Sequence, residues 1–365
     1  MKIGFVAEPY EESHASGMGY VVRELMANFK AENPNHEFVF FSSKPISRSL
    51  VPGYFTNILI PKGYVQKFFY FAFLREKLDA LVFMVPMLPL PYVGNRTKTF
   101  PMCQELGSQK MKPGDLKGML IAFVRDQILM RITFRRAAHI IAASHATRED
   151  ILHFYKVGAD KVSVAYDGFR DVQSFVDPSY EVDEKMKPYF FFTGKVKYRK
   201  NVHGIVSAFV AFKERTGSNA KLVISGDYGG GYYEQLDREL RDHNLRNDAF
   251  FLGYTADGAM YSLYKNAIAC VFPSLNEGFG MPIVEAMSVG TPVLTSKISS
   301  TGEVARDAAI LVDPLSIDEI SQGLEKLESD SVLRETLIKK GYIRAKDFSW
   351  PKAAREYVEL IEATL

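Results

Sequence analysis

The chain is 365 residues long, 47% hydrophobic and 24% charged, with a formal net charge of +2. Those values suit a soluble chain long enough for two α/β cores. The first 180 residues carry an excess of Lys and Arg and the remainder an excess of Asp and Glu; this fits an anionic partner such as a phospholipid surface or lipid phosphate, and is too weak to argue for nucleic acid. Cys103 and Cys270 both lie in apolar runs, which excludes a disulfide framework or cysteine metal site and points to buried thiols in a reducing compartment. The opening M-K-I-G-F-V-A reads as a first strand rather than a signal peptide, and no charge-free run reaches transmembrane length, so a cytoplasmic protein is expected.

In chain order, residues 2–7, 37–43, 80–85, 97–102, 139–144 and 162–166 read as strands. Several are apolar without alternation, the pattern of a parallel sheet covered on both faces. Helices are expected over 21–30 and 116–136. Before the first helix stands Ser16-Gly-Met-Gly-Tyr20. It is not a dinucleotide fingerprint, because the third glycine position is Val22 and the run lies well beyond the end of the first strand. Segment 62–77 is aromatic and flanked by Lys67, Arg75 and Lys77; a core-facing helix is the simpler reading and a membrane-interface segment the alternative. Residues 171–187 lose the alternation and are rich in charge, Ser and Pro, as in a linker between domains.

The pattern restarts with strands at 189–193, 222–225, 250–252, 267–272, 293–295 and 310–312. Two successive alternating series predict two doubly wound, Rossmann-like α/β domains facing a cleft. Thr193-Gly-Lys-Val-Lys-Tyr-Arg-Lys-Asn201 joins the first of these strands to a helix marked by Val202, Ile205, Val206, Phe209 and Val210, with Asn201 as N-cap and Gly217 past the end. Arg199 and Lys200 therefore stand at a helix start, where the dipole disfavours cations; a bound polyanion would compensate, and otherwise they are two solvated surface charges. Gly226-Asp-Tyr-Gly-Gly-Gly231 also follows a strand, but without a Lys-Ser/Thr ending it is no P-loop and suits a mobile loop.

The most informative stretch is Pro273-Ser-Leu-Asn-Glu-Gly-Phe-Gly-Met-Pro-Ile-Val-Glu-Ala-Met-Ser-Val-Gly290. It reads as strand end, glycine loop and helix, with Pro282 at the helix start and Gly290 at its stop. Free backbone N–H groups and the dipole at such a point form an anion site. Glu277 in the loop and Glu285 about one turn into the helix supply acceptors beside it. A ligand with both phosphates and hydroxyls, such as a nucleotide sugar, matches that set; singly, each glutamate also reads as a dipole partner or a solvated loop residue.

This string resembles the donor-site signature of the retaining glycosyltransferases of family 4, whose two glutamates are separated by seven residues. Gly290-Thr-Pro-Val-Leu-Thr, Gly302-Glu-Val and Ala308-Ala-Ile-Leu-Val-Asp-Pro314 extend the likeness. The resemblance implies a GT-B arrangement: an N-terminal acceptor-side domain over 1–170, a linker at 171–187, a donor domain over 188–349, and a last helix, 350–365, returning to the first domain with Trp350 as anchor. It further implies that Glu277 binds sugar hydroxyls, that Glu285 binds the nucleotide ribose, and that Arg199 and Lys200 grip the donor diphosphate. Gly17, Gly19, Gly278, Phe279, Gly280 and Met281 would contact the donor, with no cofactor and no obligatory metal. Where the family often has His-Asp-Leu this chain has Gln104-Glu105-Leu106; Gln104 and Glu105 would then contact sugar or acceptor, but an amide cannot transfer a proton.

The expected activity is retaining transfer of a hexose from a nucleoside-diphosphate sugar to a glycan or lipid-linked acceptor. Overall likeness to bacterial polysaccharide mannosyltransferases favours GDP-mannose. Polysaccharide or glycolipid assembly is the expected setting, with peripheral membrane contact through the N-terminal domain left open. The rivals are a nucleotide-sugar epimerase on the same fold, separable by its independence of an acceptor, and a non-catalytic sugar-nucleotide-binding relative.

Overall fold

The computed structural model describes residues 1–8, 17–47, 51, 55–63, 66–67, 70–71, 76–85, 97–106 and 123–365. The chain forms two compact units, Met1–Gly168 with Ser349–Leu365, and Phe169–Phe348.

The described part of the first unit holds strands β1 (Lys2–Val6), β2 (Glu37–Ser42), β3 (Thr56–Leu59), β4 (Ala80–Met84), β5 (Lys98–Cys103), β6 (Ile140–Ala142) and β7 (Val162–Val164), in the order β3-β2-β1-β4-β5-β6-β7. All neighbouring strands are parallel. β4 is buried along its whole length, as its unbroken apolar sequence requires. β3 has no counterpart in the sequence reading. It is a short edge strand, and its Asn57 is engaged with Phe40 O and Ser42 Oγ instead of an apolar core.

Helix α1 runs Gly17–Glu32, four residues earlier than expected, so Gly17–Tyr20 form its first turn and not a preceding loop. The described end of the helix expected over 116–136 is a π-helical turn, Val124–Leu129, continuing into α2, Met130–Arg136. Helix α3, His145–Tyr155, starts at Ser144, whose Oγ accepts from Thr147 N. Of segment 62–77, Phe71 is in the core and Lys67 is buried on Glu8 at 3.0 Å, while Lys62, Gln66 and Lys77 are exposed. The last helix, Trp350–Thr364, packs within this unit, with Tyr357 edge-on to Phe29 and Trp350 edge-on to Tyr20. Gly168 lies so close that a Cβ there would sit 2.4 Å from Trp350 N.

The second unit holds β8 (Tyr189–Thr193), β9 (Lys221–Ser225), β10 (Ala249–Gly253), β11 (Ala269–Phe272), β12 (Val293–Ser296) and β13 (Ile310–Val312), all parallel, in the order β10-β9-β8-β11-β12-β13. The order reverses between β8 and β11, and a crevice at the carboxyl ends of the strands at such a point is where doubly wound sheets bind ligands. Residues 171–187, expected as a linker, group with this unit: Asp177 N donates to Gly258 O and Gln173 Nε2 to Ser288 O. The run Gly226–Gly231 is no free loop either. Gly226 N donates to Gly253 O, and Gly230 and Gly231 begin the helix Gly230–Asp242.

Cys103 and Cys270 are free and buried in their strands. Among the described residues no helix is long and apolar enough to cross a membrane.

Candidate donor site

The loops leaving β8 and β11 converge at the reversal of strand order. After β8 the chain makes a 3₁₀ turn, Tyr198–Lys200, and then passes through Asn201 in the left-handed region, φ 57°, before the helix Val202–Thr216. Asn201 stands at the N-cap position but does not cap. Its buried amide Nδ2 donates instead to Pro273 O at 3.0 Å and Pro314 O at 2.6 Å, tying three loops together. The two main loops are also stitched by Leu275 N to Arg199 O, 3.0 Å, and Arg199 Nη1 to Asn276 O, 2.9 Å.

This stitching brings Arg199, Lys200 and Glu277 into one cluster. Lys200 Nζ lies 2.7 Å and 2.9 Å from the two Glu277 oxygens, and Arg199 Nη1 lies 3.4 Å from Oε2. Glu277 is 7% exposed, and its ion pairs offset the cost of burying its charge. Its main-chain carbonyl accepts from Ser299 Oγ and Ser300 Oγ, each at 2.9 Å. An ammonium has three N–H donors, so with two spent on Glu277 a third remains for a ligand. The cations are therefore held by a carboxylate as well as lying beside a helix start, which charge reasoning on the helix dipole alone did not disclose.

Gly280, φ +101°, turns the chain into the helix Met281–Ser288. A side chain there would be strained in that backbone region and would meet Ile283 Cδ1 at 3.1 Å. Pro282 in the first turn has no N–H and Ile283 N donates to Gly280 O at 3.0 Å, which leaves the N–H of Met281 without an intrahelical acceptor. Gly278 is in the approach to this turn. The Phe279 ring is buried edge-on to Phe348, so what Phe279 offers a ligand is main chain.

Glu285, on the same helix, is 3% exposed and belongs to a second cluster. Tyr264 Oη donates to its Oε2 at 2.8 Å, Arg170 Nε lies 3.3 Å from its Oε1, and Arg170 Nη1 also pairs with Asp257. Glu285 is the chief cause that raises the Arg170 pKa above its ordinary value; burial, then Glu285, pushes the Tyr264 hydroxyl well above its own. Arg170, Tyr264, Ser299 and Ser300 were all missed in the sequence. They come from three separate segments, and none stands in a spacing pattern; only their meeting around two glutamates identifies them.

The remaining expected residues lie in the first unit. Gly17 and Gly19 are in the first turn of α1, where their amides point along the helix start. Gln104 is buried and its Nε2 donates to Asp167 Oδ1 at 3.2 Å, while its carbonyl accepts from Thr147 Oγ1. One amide hydrogen of the side chain expected to meet a sugar or acceptor is thus spent on the fully buried Asp167. Glu105 follows it and is half-buried.

Residues 178–344 match the family model described as glycosyl transferases group 1. The chain is 34% identical over 173 residues to O-antigen chain mannosyltransferase B of Escherichia coli, covering 47% of this chain and 44% of that protein. It is 30% identical over 212 residues to O-antigen chain mannosyltransferase RfbU of Salmonella typhimurium, covering 58% and 57%. The chain thus spans about half the length of these relatives. Over 100% of both chains it superposes on Anabaena HepE, solved with UDP and glucose, with a TM-score of 0.74 at 17% identity. The two parallel-sheet units have the GT-B fold.

Proposed function

We propose that this chain is a retaining glycosyltransferase that moves a hexose from a nucleoside-diphosphate sugar to a hydroxyl of a glycan or lipid-linked acceptor. The Arg199–Lys200–Glu277 cluster beside the helix start at Gly280 carries the reading. Arg199, Lys200 and the main-chain amides near Gly280 stabilise charge on the departing diphosphate, the same principle as an oxyanion hole. Glu277 binds sugar hydroxyls and Glu285 the ribose. With the acceptor hydroxyl positioned on the face of the departing phosphate, that phosphate takes its proton, and positioning supplies much of the acceleration. The cations replace a metal at the diphosphate. The relatives named as O-antigen chain mannosyltransferases support mannose as the sugar and polysaccharide or glycolipid assembly as the setting, with GDP-mannose as the donor of this proposal. A cytoplasmic enzyme touching the inner membrane face through its first unit fits a lipid-linked acceptor.

The test is transfer from a panel of GDP and UDP sugars, in EDTA, with and without glycan and lipid-linked acceptors. Acceptor-dependent transfer that survives EDTA and keeps the anomeric configuration is expected. Glu277→Gln should keep the fold and lose at least about a hundredfold in turnover, because it weakens charge-assisted bonds to the sugar. Free sugar released at the same rate without any acceptor would point to an epimerase, and full activity in folded Glu277→Gln would overturn the site.

A further inference from the structure

Glu285 sits in the fifth position of its helix, beyond the reach of the free N–H groups that neutralise a carboxylate at a helix start. At 3% exposure its charge has to be met by side chains from elsewhere. Tyr264 Oη donates to Oε2 at 2.8 Å and Arg170 Nη2 reaches the same oxygen at 3.5 Å. On the other oxygen, Oε1, Arg170 Nε lies at 3.3 Å, but this buried nitrogen completes no hydrogen bond. Arg170 is fixed from its far end by Asp257, in the first turn of the helix Asp257–Lys265. One carboxylate oxygen is thus pinned while the other keeps acceptor capacity, an arrangement suited to a ligand that donates from a hydroxyl.

We propose that Arg170 and Tyr264 are positioning residues that fix the Glu285 carboxylate for the ribose hydroxyls of the nucleotide. This rests on the donor-binding role given to Glu285 above. Neither residue touches the reacting atoms; both act through the orientation of one carboxylate. A purely structural quartet would lower stability when broken but would not discriminate between ligands with and without ribose hydroxyls.

The full chain is titrated by calorimetry with GDP and UDP and with their 2′,3′-dideoxy counterparts, as wild type, Tyr264→Phe, Arg170→Gln and Arg170→Lys. The wild type should prefer the hydroxylated form of at least one nucleotide by about tenfold or more. Tyr264→Phe and Arg170→Gln should shrink that ratio to about threefold or less while leaving dideoxynucleotide affinity unchanged, and Arg170→Lys should restore part of it. Folded variants with the full wild-type ratio would overturn the proposal. If the arginine variants do not fold, Tyr264→Phe, which removes a single oxygen, decides. A wild type that binds nucleotides without regard to the hydroxyls overturns the positioning role and leaves the transferase reading standing; one that binds neither GDP nor UDP removes both.

Discussion

Lys200 joins stability and the proposed diphosphate recognition in one side chain. Placed at a helix start, a cation opposes the dipole, and that consideration alone has Lys200→Ala leave the free protein as stable as before or slightly more so. The ion pair with Glu277 reverses the expectation. Glu277 is 7% exposed, and removing Lys200 leaves its carboxylate, among the described residues, with Arg199 at 3.4 Å as its cation. Breaking a buried pair by removing one partner costs roughly 3 kcal/mol, far more than the few tenths a dipole gives back. Lys200→Ala should therefore melt below wild type in the absence of ligand. It should also bind any nucleoside diphosphate tenfold to a hundredfold more weakly, from the loss of about 1.5–3 kcal/mol of charge-assisted bonding. Calorimetry and thermal melts on the same preparation check both; unchanged nucleotide affinity in the folded variant would make the pair structural only. Arg199, Lys200, Glu277 and Glu285 were legible in the sequence because they fall in contiguous motifs at strand ends. Their partners were not, since Arg170 and Tyr264 reach Glu285 only through the fold.

At the scale of elements, the strands were the most legible part because a buried parallel strand is written as a short apolar run. β8 and β13 fall on the predicted residues, whereas the polar edge strand β3 left no such trace. Boundaries governed by side-chain hydrogen bonds were less legible: Asn201 has the composition of an N-cap but spends its amide on two distant carbonyls. The end of β5 gives a further case. Gln104, just past that strand, holds Asp167, and burial pushes the Asp167 carboxyl from 3.8 up to about 7. The folded state therefore binds a proton that the unfolded chain releases near its ordinary pKa. The stability this group contributes is fully present below about pH 4 and is lost as the pH rises through about 7. Asp167→Asn, neutral throughout, should gain on wild type as the pH rises, by on the order of 2 kcal/mol between about pH 5 and pH 8. Melting curves at the two pH values check this; a difference that does not change with pH would show that the carboxyl is not protonated in the folded protein.

At the scale of the whole molecule, the chain leaves the first unit after Gly168 and returns to it at Ser349. The last helix is capped by Ser349, whose Oγ accepts from Lys352 N, and it carries Pro351 in its first turn. Its inner face buries Trp350, Ala353, Ala354, Tyr357, Val358 and Ile361. Burying a large apolar side chain contributes about 1.5–3 kcal/mol, so Trp350, Tyr357, Val358 and Ile361 together bring on the order of 10 kcal/mol. A domain's whole stability is about 5–15 kcal/mol, so the first unit should not fold without this helix. The two glutamate clusters need nothing from it: Arg170, Arg199, Lys200, Tyr264, Glu277 and Glu285 all lie within Phe169–Phe348. A chain ending at Phe348 should thus lose amide exchange protection across Met1–Gly168, keep it in the second unit, and still be stabilised by a nucleoside diphosphate that the intact chain binds. Hydrogen exchange on the truncated and intact chains, with and without GDP or UDP, reads both outcomes. Protection retained in the first unit would show that the last helix is dispensable to its core; equal loss in both units would show that the second core depends on the first.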